Sequence, residues 1–548
     1  MGPTVKRNLA SFGLIFTIAG LCLGLVLAGC GAGATKKVVV VGMLGDVETL
    51  NPILSENSNE TEVMNGIFST LLKMNDRLEM EPDLLTKMPE LSPDRLTYTF
   101  QLRQGVKFHD GVELTAEDVE FLYRMKLAEG NLVPSRDMWE AIEKFEIIDK
   151  YNFRITLKKS DVTWLQGWCY GEGMIPPKHL LEKEFAASGG ALTKGGPFSR
   201  HPVGTGPYMF VEWKRDQHIL LKRNPHYFRE GKPKIEKIVF KVIPDTNTML
   251  AQFKKGEIDV FSQAQANQYK ELLEMKKKGH AIAVHKFPSY TYLHADFNLR
   301  NPIFQDKRVR QALCYAFPKE DFIRTVLDGV ATPADSYIAP MSWAYNPNVK
   351  KYDYNLAKAM QLLEEAGWKL RDDGVRVKDG RELAFRISTN TENRTRTKFV
   401  EIAKQAWEAV GARVTIQNYE GTTLFGDILE KGNFDIIVFA WVSGADPDGY
   451  TLWYSKQDPL VYGAGQNYVG YKNDRIDRLC LAGKEEFDQE KRLRIYHEIQ
   501  EILAEEVPYM FVYFYNNVAA VKSSLKNFKP NPTMANNTWN IYDWELGN

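Results

Sequence analysis

"KIEKIVFKVIPDTNTMLAQFKKGEIDVFS", residues 234–262, holds a strand, a helix and a second strand in succession. The β-branched and aromatic residues of "KIEKIVFKVI" read as the first strand, and "TNTMLAQFKKG" reads as a helix that stops at Gly256. "EIDVFS" is the next strand, so the stretch is a βαβ unit, the building block of a parallel sheet with helices packed on its faces. The same grammar returns 176 residues on, since "KGEIDV" at Lys255 is echoed by "KGNFDI" at Lys431. There a helix over 397–410 stops at Gly411, "RVTIQ" is a strand, "TTLFGDILEKG" a helix and "FDIIVFAW" an apolar strand. One echo is not a solenoid period. It predicts two α/β lobes built alike.

Outward from this pair, "TKKVVVVGMLGD" (35–46) opens with a β-branched run that reads as a buried strand, and helical spacing follows around 61–72. From Leu96 the pattern alternates, with Tyr98, Phe100 and Leu102 on one strand face. Gln104-Gly105 turns it, and Val106 with Phe108 read as a second short strand. Thr115 and Asp118 then form a capping-box variant that opens a helix through about Lys126. This strand-rich part is an insertion in the first lobe. At the other end, "VPYMFVYFYNNVAAV" (507–521) follows a helix over 489–504 and resembles the core strands more than a tail. A chain that finishes in its first lobe crosses between lobes twice, and the crossings are expected near 298–302 and 505–508.

The N-terminus reads differently. Lys6 and Arg7 precede an uncharged run from Leu9 to Leu27, then "LVLAGCGAG" (25–33) ends in small residues around a cysteine. A basic start, an apolar stretch and small residues at the cleavage point make a secretory signal. Leu27-Ala28-Gly29-Cys30 resembles the bacterial lipobox, in which the cysteine is acylated and becomes the new N-terminus. The alternative is a retained membrane span, weakened by Ser11, Gly13, Thr17, Gly20 and Gly24. Gly31 to Ala34, followed by Thr35, reads as a flexible tether. Removing 1–29 takes away Lys6 and Arg7 from 70 basic and 70 acidic residues, which leaves a formal charge of −2. That balance argues against nucleic acid, whose phosphates reward a basic face. Cys169, Cys314 and Cys480 are far apart and odd in number; one disulfide is open, a disulfide framework is not.

Several motifs resemble catalytic or metal sites and fail on context. "GTGPY" (204–208) lacks the third glycine and the helix of a phosphate loop and leads into "YMFVEW", so it is a tight turn. "HEIQE" at His497 has no second histidine for zinc, and only His280 and His285 come near metal-ligand spacing. No G-x-S-x-G is present. Asp372-Asp373 beside Gly374 reads as a loop. We expect no enzyme activity, no cofactor and no metal.

"FAWVSGADPDGYTLWY" (439–454) is the informative stretch. An apolar strand ends at Trp441, a loop of Gly, Asp and Pro follows, and Tyr450, Trp453 and Tyr454 return. Ligands of α/β sheets sit outside the carboxyl ends of strands, and aromatic faces with a few fixed polar groups suit a small-molecule pocket. The other reading is a surface loop whose aromatics are pinned into the core.

Five blocks in order carry a family resemblance: "FQLRQGVKFHDGVELTAEDVEF" (100–121), "VGTGPYMFVEW" with "LLKRNPHYF" (203–228), "FNLRNPIFQDKRVRQALCYAF" (297–317), "AKAMQLLEEAGW" (357–368) and "ADPDGY" (445–450). Over nearly the whole mature chain the sequence resembles the family 5 extracellular solute-binding proteins, receptors of peptide, nickel and some oligosaccharide ABC importers. The resemblance implies a two-lobed α/β Venus-flytrap fold with an extra strand-rich subdomain in lobe I. The expected division is a leader (1–29), a tether (30–36), lobe I core (37–75), inserted subdomain (76–199), lobe I core (200–299), lobe II (300–507) and a lobe I return (508–548).

It further implies a monomer, anchored outside the cytoplasm by lipid on Cys30, that delivers an enclosed solute to an ABC permease. The leading cargo is an oligopeptide. An oligosaccharide or other polar solute, a ligand-presenting sensory lipoprotein and an exported hydrolase are the alternatives. Expected ligand contacts are Trp441, Ser443, Asp446, Tyr450, Trp453, Asn390 and Arg394. Peptide-binding members hold the ligand's α-amino group with an aspartate shortly before the loop's Pro. Aligned on Pro447, that position is Ser443, with Asp446 close by. The arginine that reads the carboxylate in dipeptide-type members falls near Asn390, with Arg394 and Arg396 adjacent.

Overall fold

The computed structural model describes residues 37–133, 136–532 and 537–547. The leader, the tether and Cys30 lie outside the described residues. One mixed sheet runs through the molecule. Its main strands are β1 (Val38–Met43), β2 (Tyr208–Lys214), β3 (His218–Arg223), β4 (Lys237–Val242), β5 (Val260–Ala264), β6 (Ile282–Phe297), β7 (Ala384–Ser388), β8 (Arg413–Ile416), β9 (Ile436–Val442) and β10 (Tyr509–Lys522). They lie in the order β8-β7-β9-β6-β10-β5-β1-β4-β3-β2, and Thr332–Pro333 pairs with β10. The helices used below are α1 (Ser58–Ile67), α2 (Ala116–Leu127), α3 (Thr246–Lys255), α4 (Arg394–Glu408), α5 (Asp474–Glu485) and α6 (Gln489–Glu506).

The echoed motifs do the same work in both lobes. β4 and β5 are not neighbours: they flank β1, and both run parallel to it. β8 and β9 flank β7 in the same way. The aspartate of "KGEIDV", Asp259, accepts a hydrogen bond from the amide of Val40 in the central strand at 2.9 Å. Its counterpart Asp435 accepts from the amide of Arg386 at 2.9 Å. The preceding glycines, Gly256 and Gly432, both adopt positive φ (79° and 65°), which ends the helical turn before the strand. α3 crosses β1 so closely that a Cβ on Gly42 would stand 2.9 Å from the Met249 sulfur.

The inserted region forms a four-stranded antiparallel sheet of Glu90–Leu91, Thr97–Gln101, Asn152–Leu157 and Ile142–Ile147, in that order. α2 starts at the capping box read from the sequence, with Thr115 and Asp118 bonded reciprocally, and buries Val119, Phe121, Leu122 and Met125. Phe100 stacks on Phe153 at 4.8 Å. The second short strand expected at Val106 and Phe108 does not form. Two tight turns with Gly105 and Gly111 at positive φ bracket a single bridge, Lys107 to Glu113, so both rings are buried without a ladder. The helix expected over 422–430 is also irregular, a short turn at Gly421–Thr423 continuing as a π-helix over Leu424–Leu429.

Among the described residues β6 and β10 are the one long pair, and they join the lobes. Their first and last halves bury different cores. Phe287, Ala519 and Val521 belong to the first lobe's cluster. Leu293, Ala295, Phe297, Met510, Val512 and Tyr513 pack in the second lobe's cluster. The register of the pair breaks between Pro288 and Tyr292. The change of core therefore falls near 288–291 on β6 and 515–517 on β10. Both strands continue into the second lobe, so the boundary is marked only by the register shift that begins at Pro288. Cys169, Cys314 and Cys480 are free and buried. Among the described residues no helix is long and apolar enough to cross a membrane.

Candidate ligand-binding site

β9 ends at the loop singled out from sequence, and β7, its parallel neighbour, ends on the same side of the sheet. Trp441 is half-buried, with its ring stacked on Tyr468 and on His294. Beneath it His294 and Asp296 form a fully buried pair on β6. Burial pushes the Asp296 carboxyl up, and His294 opposes that shift. Ser443 is turned inward: its amide donates to the Tyr290 carbonyl at 3.1 Å and its hydroxyl to the Tyr337 carbonyl at 3.4 Å.

Asp446 is already occupied. Arg492 of α6 donates to both of its oxygens at 2.9 and 2.8 Å, with both side chains buried. The amide of Asp448 and the side chain of Gln166 add bonds at 3.0 and 3.4 Å. Gln166 belongs to the first lobe, so Asp446 lies on the seam between lobes. Asp448 accepts from the amide of Tyr450 at 3.0 Å, and burial raises its carboxyl to about 6. Tyr290, Tyr337, Ser342, Ser443 and Asp446 line one small pocket.

Tyr450 faces elsewhere. It stacks on Tyr454 at 4.8 Å and lines a groove of about 370 Å³ with Leu481 and Lys484 on one side and Lys158 and Asp161 of the first lobe on the other. Lys484 ties the lobes: its ammonium is 3.1 Å from Asp161 and 4.0 Å from Asp448, and its carbonyl accepts the amide of Val162 at 3.0 Å. Arg95 lies over the Phe487 ring at 4.9 Å, and Ala445 packs into the first lobe's core.

The remaining expected residues separate from this pocket. Trp453 is fully buried in the second lobe, against Tyr337, Tyr509, Tyr471 and Phe511. In this structure it is core, because rings far off in the chain close around it, Tyr509 and Phe511 of β10 with Tyr337 and Tyr471. Asn390 lies just past β7, bonded to Glu392 at 3.1 Å and to Arg396 at 2.9 Å. Arg394 is the first residue of α4 and exposed. The sequence reading missed Arg492, Gln166, Lys484, Tyr290 and Tyr337. Each lies far along the chain from the loop and carries no local signal of its role.

Two α/β lobes joined by a pair of crossing strands, with a polar, aromatic loop on the seam between them, define a solute-binding receptor. The chain belongs to the bacterial extracellular solute-binding proteins, family 5, whose "Middle" region it matches over residues 79–459. It is 33% identical to the oligopeptide-binding protein AppA of Bacillus subtilis over 93% of this chain and 91% of that protein. It is 27% identical to the glutathione-binding protein GsiB of Salmonella typhimurium over 93% and 95% of the two chains. The structure of B. subtilis AppA in complex with a nonapeptide superposes with a TM-score of 0.75 at 31% identity, covering 94% of this chain and 100% of that one. Campylobacter jejuni NikZ in complex with Ni(L-His) superposes with a TM-score of 0.76 at 28% identity, covering 93% and 100%.

Proposed function

We propose that the protein is a lipid-anchored receptor that encloses an oligopeptide between its lobes and delivers it to an ABC permease without altering it. The observation that carries this reading is the seam itself. The loop after β9 is held against the first lobe by Gln166 at Asp446 and by Asp161 at Lys484, so ligand enclosure and lobe closure share residues. The likeness to AppA supports a peptide cargo. An oligosaccharide or other polar solute is the second reading, favoured by the half-buried Trp441 and the stacked Tyr450 and Tyr454. Trp441, Ser443, Asp446, Tyr450, Asn390 and Arg394 are proposed to face the cargo; Trp453 supports the loop from behind.

Ligand that binds only the folded protein adds RT ln(1 + [L]/Kd), about 2.7 kcal/mol at a hundredfold excess over Kd. Thermal-shift screening of peptide and oligosaccharide pools should find one stabilising class, and scattering should show a smaller radius with it. Turnover of that ligand would transfer the case to an enzyme.

Cys30 is proposed to be the acylated mature N-terminus. A single acyl chain anchors only marginally, so two or more are expected. Mass spectrometry of Cys30→Ser should find an unprocessed precursor or soluble release. Uncleaved wild-type protein still held in the membrane would establish the retained-span reading instead.

A further inference from the structure

We propose that the loop end of the cleft selects a cargo whose end there is uncharged and presents a carbonyl oxygen, so that an N-acylated peptide binds in preference to one with a free α-ammonium; this rests on the peptide reading above.

The first reason is that both aspartates of the loop already have partners. Asp446 accepts from Arg492, Gln166 and the Asp448 amide. Asp448 accepts from the Tyr450 amide and shares Lys484 with Asp161. Asp161 in turn accepts from the amide and hydroxyl of Thr163 at 2.9 and 2.7 Å. Glu485 lines the same groove, but so do Lys158 and Lys159. Over the loop and the adjoining groove, the acids Asp446, Asp448, Asp161 and Glu485 are equalled in number by the bases Arg492, Lys484, Lys158 and Lys159. An ammonium brought here leaves water for a site with no spare charge, which is costly when nothing compensates it.

The second reason is a surplus of donors. The amides of Gly444 and Ala445 donate to no acceptor among the described residues, while those of Ser443 and Asp448 on either side are used. Across the seam the buried Tyr170 hydroxyl also has no partner among the described residues. Burial, with Cys169, Tyr290 and Asp446 nearby, raises its phenol above the ordinary range and keeps its proton in place. Backbone amides and a protonated phenol suit an acceptor such as an acyl or peptide carbonyl. They repel a group that can only donate. Ser443 adds no charge, and its hydroxyl already points at the Tyr337 carbonyl.

Calorimetry of the mature protein with a nonapeptide of one sequence, free and N-acetylated, tests this directly. The acetylated form should bind at least tenfold tighter to the wild type. In Ser443→Asp the order should reverse, because the new carboxylate pairs with the ammonium and opposes the carbonyl. Equal binding, or tighter binding of the free peptide by wild type, would overturn the inference and leave the peptide reading standing. If neither peptide binds while an oligosaccharide stabilises the protein, the peptide reading fails and this inference with it.

Discussion

Arg492→Leu is expected to cost about 3–5 kcal/mol of stability, because it removes one partner of a buried ion pair and strands the other. Asp446 would be left on the seam with the Gln166 side chain at 3.4 Å and one amide. Further bonds would go as well: Arg492 donates to the Gly483 carbonyl at 2.9 Å and to the Tyr496 hydroxyl at 3.0 Å, and its guanidinium lies over the Trp343 ring at 5.4 Å. Two helices would loosen together, since Gly483 is on α5 and Arg492 on α6. Denaturant unfolding of Arg492→Leu, Asp446→Asn and the double variant measures the coupling. The double variant should recover part of the loss, because no lone buried charge remains. Additive losses in the cycle would mean that the pair does not act as a unit.

The second large effect separates two tryptophans that look alike in the sequence. Trp453→Ala should cost about 3–5 kcal/mol, the usual penalty for emptying a fully buried aromatic site. The ring is held by Tyr509 at 4.6 Å and Tyr337 at 5.7 Å, and Gly449 passes so close that a Cβ there would lie 2.5 Å from it. Such a site cannot collapse to fill the void. Trp441→Ala should cost less stability, since the ring is only half-buried, and should lower ligand affinity in the folded protein. It should weaken a stacked sugar by more than an extended peptide, whose backbone supplies most of its contacts. Thermal unfolding and calorimetry of both variants give the answer. If Trp441→Ala unfolds the protein as readily as Trp453→Ala and leaves affinity untouched, Trp441 is core too.

The two tryptophans also show where sequence reading reached its limit. A strand ending in a loop of Gly, Asp and Pro is a local pattern, and it located the seam. Which aromatics of that loop face outward depends on Tyr337 and on Tyr509 and Phe511 of β10, which lie far from Trp453 in the chain and enclose its ring. No period within the loop encodes that cover. Asp446 teaches the same lesson: as a sequence it is an acid beside a neutral serine, free to compensate for it. Its partner Arg492 sits 46 residues away, on what reads as an ordinary charged helix.

What the sequence determined by itself is everything set by short-range pattern. The strand-helix-strand units, the capping box at Thr115, and the glycine stops at Gly256 and Gly432 follow from spacing and backbone chemistry within a few residues. The order of five motif blocks was enough for the family. Only the tertiary structure decided where β6 and β10 pass from one core to the other, because that depends on which side chains pack around each half of the strands. It alone decided which charges at the seam are spent, because ion pairing depends on distance through space and not along the chain. The contacts across the seam belong to this second kind, since they are made by groups from both lobes that meet only when the protein is folded.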